Sequence, residues 1–321
     1  MTLKNTILIV LLLVCFSCKK DNPVGPPIES YFGELSIFET FSHDKPVGVD
    51  FSTGEAVNFS AEFSVQADYT IDIEGRISGA NYSIDQTGQN LENVFWAGNS
   101  NTIFFKQYEW CDVTLSFSGY DTVLTDSVLI LGVQDFSNLG LLLTSFEDAS
   151  EFSSVSGQET VTNNIISNAS LSVHGTNHLE IKGEGSGTYF GATRFQFNPG
   201  TIDEQDVNEI YFNGFFKTSY PGSTVGVKLF EDQNNNNQYD QGIDEAWVLK
   251  VPLQDDGLWH KLSLNLSDLI VDVFAGNVQV DGILNPNNII RIDVICSQQG
   301  NTFGTFGFFS DYYILTYNAA L

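Results

Sequence analysis

Short runs with apolar residues at every second position dominate this chain. Between about Tyr31 and Asp135 they are AVNFSAEFSV, DYTIDIEGRI, NTIFFKQYEWCDVTLSFSG and DSVLILGV, each the pattern of a strand with one buried face. Gly75, Gly79, Gly88 and Gly98 punctuate them, and a turn signal every eight to twelve residues predicts a β-sandwich. A short polar stretch, Phe136 to Gly140, predicts the junction between two domains, residues 31–138 and 139–321. Beyond it, NNIISNAS, NHLEIKGEG, TYFGATRFQF, EIYFNGFFKTS, VGVKLF, EAWVLKVPL, LWHKLSLNL, NIIRIDVIC and GTFGFFSDYYILTY read as further strands. There is no internal repeat and no long amphipathic helix; SDLIVDVF reads as a helical turn capped by Ser267. The expected fold is all-β, two β-sandwich domains in series.

Alternation also sorts residues by face. In EIYFNGFFKTS, Ile210, Phe212 and Phe216 share the side suited to a core, and Tyr211, Asn213, Phe215 and Lys217 share the other. In TYFGATRFQF, Arg194 and Gln196 oppose Tyr189, Phe195 and Phe197. In IIRIDVIC, Arg291 and Asp293 oppose Ile290, Ile292 and Val294. Tyr211, Lys217, Arg194, Gln196, Arg291 and Asp293 then form either a concave platform for sugar or a solvated face with internal ion pairs. A sugar needs flat apolar surface for its CH face and planar polar groups for its hydroxyls. Trp247 and Tyr220, beside predicted loops, are the aromatic candidates for stacking. Trp110 and Trp259 read as packing residues.

Between VGVKLF and AWVLKV lies EDQNNNNQYDQGIDE. Asp232, Asn234, Asn236, Gln238 and Asp240 fall at every second position, the rhythm of a calcium loop. Position 12 of that register is Ile243, so Asp244 or Glu245 would close the site late. The other reading is a polar hairpin tip. The loop resembles the Asp-x-Asn-x-Asn-x-x-x-Asp loops of secreted bacterial adhesins and surface-protein β-domains.

Charge narrows the partners. Forty acidic residues against 13 basic give a net charge of −27. Such a chain repels phosphate backbones, so nucleic acid is excluded as a partner, and it attracts divalent cations. Lys4 precedes the apolar run TILIVLLLVCFSC, which has the features of a secretory signal, residues 1–17. Ser17-Cys18 followed by KKDNP resembles the lipobox of Bacteroidetes-type lipoproteins. That implies cleavage before Cys18, its acylation, and an outer-membrane lipoprotein facing the extracellular side. Residues 18–30, with Pro23, Pro26 and Pro27, read as an extended tether. Cys111 and Cys296, in different predicted domains, read as buried free thiols.

VNFSAEF, ADYTIDIEG and CDVTLSFSG give the first domain a rhythm similar to immunoglobulin-like or PKD-like modules, which act as spacers. Four features of the second resemble the galactose-binding-like jelly roll of carbohydrate-binding modules: Phe146-Glu147-Asp148 after the opening strand, DGLWHKLSLNLSDL, NPNNIIRIDVI and the closing GTFGFFSDYYIL. The resemblance implies that first and last strands are neighbours and that Glu147 or Asp148 shares a structural Ca²⁺ with Asp311. No paired-carboxylate motif of glycosidases is present, since IDEQDVNEI has the wrong spacing, and the four histidines are dispersed. The expected function is non-catalytic: a cell-surface lipoprotein that captures polysaccharide or oligosaccharide for neighbouring glycan-uptake proteins. A calcium-stiffened adhesion or structural module, and an unrecognised lyase or hydrolase, are the alternatives.

Overall fold

The computed structural model describes residues 33–156, 161–185, 191–273, 281–300 and 304–321. The signal sequence, Cys18 and the tether lie outside the described residues, as does Tyr189. Among the described residues every regular element of five residues or more is a strand, so the fold is all-β.

The first seven strands are β1 (Ile37–His43), β2 (Val49–Asp50), β3 (Val57–Gly75), β4 (Asn81–Asn90), β5 (Phe95–Trp96), β6 (Trp110–Phe117) and β7 (Val123–Gly132). They follow the order β1-β3-β6-β7-β2, with β4 and β5 also on β3. The runs AVNFSAEFSV and DYTIDIEGRI prove to be one continuous strand. Apolar residues at Val57, Phe59, Ala61, Phe63, Ala67, Tyr69, Ile71 and Ile73 keep a single phase across both, and neither glycine nor proline stands between them. The break is in pairing alone: opposite β4 the register jumps from Glu62↔Asn90 to Ala67↔Gly88. The early part of β3 therefore carries β1 and β5, and the late part carries most of β4 and β6. Trp96 lies at the centre of this core, edge-on to Phe51 and Phe105, with Nε1 donating to the Asn99 carbonyl. Trp110 is a correction, being exposed. Its neighbour Cys111 takes the core side of β6, and alternation turns Trp110 outward.

The remaining strands are β8 (Gly140–Thr144), β9 (Ser153–Ser156), β10 (Thr162–Ser167), β11 (Asn177–Gly185), β12 (Gly191–Gln196), β13 (Ile210–Lys217), β14 (Ser223–Glu231), β15 (Ala246–Pro252), β16 (Trp259–Asn265), β17 (Ile270–Val271), β18 (Ile289–Gln298) and β19 (Gly304–Tyr317). One sheet, here sheet I, runs β10-β11-β19-β13-β16 with β8 on β19. The other, sheet II, runs β17-β15-β14-β18-β12-β9. All their pairings are antiparallel, and the chain passes repeatedly from one sheet to the other, the wrapping of a jelly-roll sandwich. Phe212, Phe216, Phe308 and Tyr313 from sheet I interleave with Val225, Val227, Leu229, Ile292 and Val294 from sheet II. The turn before β17 is Leu266–Asp268, and its cap is Asn265, which accepts from Ser267 N at 2.8 Å; Ser267 is inside the turn.

None of β1–β7 pairs with β8–β19. A third apolar cluster joins the two groups. Phe104 stacks on Phe136 at 4.6 Å between centroids and meets Phe215 and Tyr312 edge-on at 4.7 and 5.1 Å. Cys111 and Cys296 are free and buried, and burial pushes both thiols up, away from reactivity.

Candidate functional site

The outer face of sheet II holds a cleft of about 970 Å³. Its floor is set by strand register. Arg194 on β12 stands opposite Asp293 on β18, which stands opposite Lys228 on β14, which stands opposite Val248 on β15. One step along, Gln196, Arg291 and Phe230 form a parallel row. All have the parity opposite to the core residues Val227, Leu229, Ile292 and Val294, so they point outward together. Val248, Ile270 and Ile295 supply apolar wall, and Tyr239 and Gln241 come in from the loop after β14.

The polar groups are tightly organised. Arg194 grips Asp293 with two parallel bonds, Nε to Oδ1 and Nη2 to Oδ2, both 2.9 Å. Arg291 Nε approaches the same Oδ1 at 3.5 Å. Lys228 Nζ lies 2.6 Å from Asp272 Oδ2. The Arg291 guanidinium rests 3.2 Å above the Phe230 ring centroid, and Phe230 meets Tyr239 edge-on at 4.9 Å. A guanidinium held flat in this way keeps a fixed fork of donors. Burial, with Asp272 nearby, pushes the Tyr239 phenol up, so it stays a neutral hydrogen-bonding group.

Of the eight residues singled out for sugar, Arg194, Arg291 and Asp293 line this cleft, and Gln196 stands beside Arg291 in register. The other four are elsewhere. Trp247 is a correction: it is buried in the core opposite Leu229, and its Nε1 donates to Glu231 Oε2 at 2.6 Å. Its parity is that of Leu249 and Val251, which faces inward. Tyr211 and Lys217 sit on the far side of the sandwich, on the outer face of sheet I. That face is largely occupied by the protein itself. Phe215 is covered by Phe104, and Asn213 Oδ1 accepts from Ser263 Oγ and Leu321 N. Tyr220 is in the turn after β13, with Lys182 Nζ 5.4 Å from its ring centroid. Lys228, Phe230, Tyr239 and Asp272 line the cleft as well. The signal for the first two was present, since the alternation that sends Val227 and Leu229 inward sends Lys228 and Phe230 outward.

The asparagine-rich loop folds on its own side chains. Asn235 and Asn237 take left-handed backbone, with φ of 59° and 60°. Asp232 accepts from Asn236 N at 3.1 Å and Asn237 N at 2.6 Å. Asp240 Oδ2 accepts from the side-chain amides of Asn234 (2.8 Å) and Asn236 (2.6 Å), and Asp244 accepts from Gln233 N (2.9 Å) and Asp240 N (2.6 Å). Gln238 joins through its backbone N–H, donating to Asn236 Oδ1. Among the described residues no three His, Cys, Asp or Glu side chains form a ready metal cluster. The donor set here is hard oxygen, carboxylate plus amide, which is the chemistry of Ca²⁺.

At the other end of the sandwich β8 pairs with β19, so first and last strands are neighbours. Glu147 and Asp311 hold the same segment. Glu147 accepts from Thr176 N and Asn177 N, both 2.7 Å, and from Thr176 Oγ1; Asp311 Oδ2 accepts from Val173 N (2.7 Å) and His174 N (3.0 Å). Asp148 points away and caps Ser150 N. Asp311 Oδ1 is buried with no hydrogen-bond partner, and burial pushes the Asp311 carboxyl well above the usual range. A buried orphan carboxylate oxygen near a second carboxylate suits a cation.

No family model matches the chain, and no curated protein matches it. Among solved structures it is similar to a family 11 carbohydrate-binding module from Clostridium thermocellum in complex with a β-1,3-1,4-mixed-linked tetrasaccharide. That match has 20% identity, 55% of this chain, 94% of that one, and a TM-score of 0.39. A structure of carbohydrate-binding modules from the β-sandwich superfamily matches at 12% identity over 88% of this chain and 98% of that one, TM-score 0.39. A family 30 carbohydrate-binding module of a Clostridium thermocellum cellulosomal cellulase matches at 15% identity over 52% and 91%, TM-score 0.34. Likeness at these scores carries no argument about what this chain binds.

Proposed function

We propose that this protein binds glycan without transforming it, and that the ligand lies in the cleft on sheet II. One observation carries the reading: the cleft sets the half-buried ring of Tyr239, braced edge-on by the buried Phe230, beside a fixed array of planar polar groups centred on Arg194, Asp293 and Arg291. Those are the two requirements of pyranose recognition. Both cleft carboxylates are engaged by cations, Asp293 by Arg194 and Asp272 by Lys228, which favours a fixed recognition surface over an acid–base pair.

Calcium completes the proposal. Asp232, Asn234, Asn236, Asp240 and Asp244 would hold one ion, and Glu147 and Asp311 a second. When bound, the first ion supplies rigidity to the loop that carries Tyr239. Cys18 would anchor the protein to the outer membrane on its extracellular side. The β1–β7 unit would act as an immunoglobulin-like or PKD-like spacer and hold the second at a distance from the bilayer, where captured polysaccharide would be passed to neighbouring uptake proteins.

Isothermal titration against a panel of plant and algal polysaccharides tests the binding, with Tyr239→Ala expected to weaken it at least about tenfold. Absence of binding to the whole panel would remove the reading. Release of reducing sugar from the same panel would instead establish an enzyme. Loss of fatty-acid labelling in Cys18→Ser tests the anchor.

A further inference from the structure

We infer that the glycan is acidic, a polysaccharide whose pyranose rings carry carboxylate or sulfate; the inference rests on the binding site just proposed. The chain has 13 basic residues among 321 and a net charge of −27. Four of the 13, Arg194, Lys228, Lys250 and Arg291, line this one cleft, against two carboxylates, Asp272 and Asp293. The cleft therefore holds two positive charges in excess on a strongly negative molecule.

The arrangement inside the cleft strengthens the point. Two guanidiniums converge on the single carboxylate of Asp293, and Arg291 is laid flat on Phe230. Arginine fixed by stacking presents a planar fork suited to a carboxylate or sulfate. Lys250 is exposed at the rim, on the register line through Gly226 and Ile295. Gly226 brings no side chain to that line, which leaves the floor low between Lys250 and Ile295. The repulsion between a polyanion and the rest of the chain acts over longer distances and is screened beyond about 8 Å in physiological salt, whereas contacts within the cleft are not.

The test uses the full chain and three defined oligosaccharide probes: an oligogalacturonate, a sulfated carrageenan oligosaccharide and a neutral mixed-linkage β-glucan oligosaccharide. Titrations run at 50 and 500 mM NaCl. At least one acidic probe is expected to bind more tightly than the neutral one, and to keep that preference at the higher salt, where the repulsion is screened and the contacts within the cleft persist. The uronate and sulfate arms show which anion the site takes. Arg291→Gln should weaken the acidic probe about tenfold, and Lys250→Gln, at an exposed position that leaves the fold intact, about threefold. Binding of the neutral probe without preference for either acidic one would overturn the inference and leave the proposed site standing. Acidic binding that neither substitution weakens would overturn the assignment of the anion to this cleft, and the proposed site with it. If no probe and no polysaccharide of the wider panel binds, both readings fall.

Discussion

The two outer faces of the β8–β19 sandwich make an instructive pair. Each is built by the same alternation, and each offers a mixture of aromatic, basic and polar residues. On sheet I, Phe215, Tyr312 and Ile314 are sealed by Phe104 and Phe136, and Asn213 is spent on Ser263, Thr316 and Leu321. On sheet II the corresponding rows end in an open cleft. A polar strand face is therefore not a binding surface until it is known what else in the chain can reach it. On sheet I the reach comes from Phe104, 111 residues before Phe215 in the sequence.

The largest effect expected is on the covered face. Phe104→Ala removes the ring at the centre of the joining cluster and should cost about 3 kcal/mol, the range for a buried phenylalanine. Calorimetry should then resolve the unfolding of β1–β7 from that of β8–β19. A single unchanged transition would mean that the cover contributes little and that the two faces differ only in appearance.

The open face is sharpened by calcium. Saturation at one hundred times the dissociation constant should raise stability by about 2.7 kcal/mol for a site present only in the folded chain. Asp232→Ala together with Asp240→Ala should abolish the loop's share of that shift, read as the melting-temperature difference between calcium and EDTA. Arg194→Met tests the floor of the same cleft. It leaves the buried Asp293 with Arg291 alone and should cost about 2 kcal/mol, measured by urea unfolding, whereas Arg194→Met with Asp293→Leu should recover most of the loss.

The smallest effect returns to the covered face. His178 is buried beneath Trp259 and Phe309, with Nδ1 2.9 Å from Ser172 Oγ. Burial first, and then the charges of Lys217 and Lys106, hold its ring below the ordinary histidine value of 6.5. The unfolded chain therefore takes up the proton before the folded one does. Stability from this residue is present above about pH 6.5 and is lost as pH falls through that value toward the lower folded pKa. His178→Gln should flatten the melting profile in that window. An unchanged profile would show that the ring is open to water.

Much of this was legible in the strands. The inward phase of Val225, Val227 and Leu229, and the outward phase of Arg194, Arg291 and Asp293, follow from period two alone. Trp247 shows a legible signal outweighed by proximity to a loop, since its own parity with Leu249 and Val251 pointed to the core. Tyr239 was not legible. It occupies an odd position in a loop whose even positions carry the polar ligand rhythm, and only the fold brings its ring against Phe230. The cover over sheet I was equally hidden, because no local pattern in NTIFFK tells a core phenylalanine from one that spans two units.

The place of β19 in sheet I has a consequence for assembly. It comes after every other strand of the sandwich in chain order, yet it is hydrogen-bonded to β8, β11 and β13 at once. Those three end 160, 119 and 87 residues before β19 begins, and until it arrives β11 has only β10 and β13 only β16 beside it, so the sandwich closes late and through distant pairings, a slow route. The β1–β7 unit has all its strands by Gly132 and is free to settle first. Until its fourteen-residue closing strand arrives, a nascent chain would thus hold a finished first unit beside a second whose sheet I is still in two pieces, β10-β11 and β13-β16.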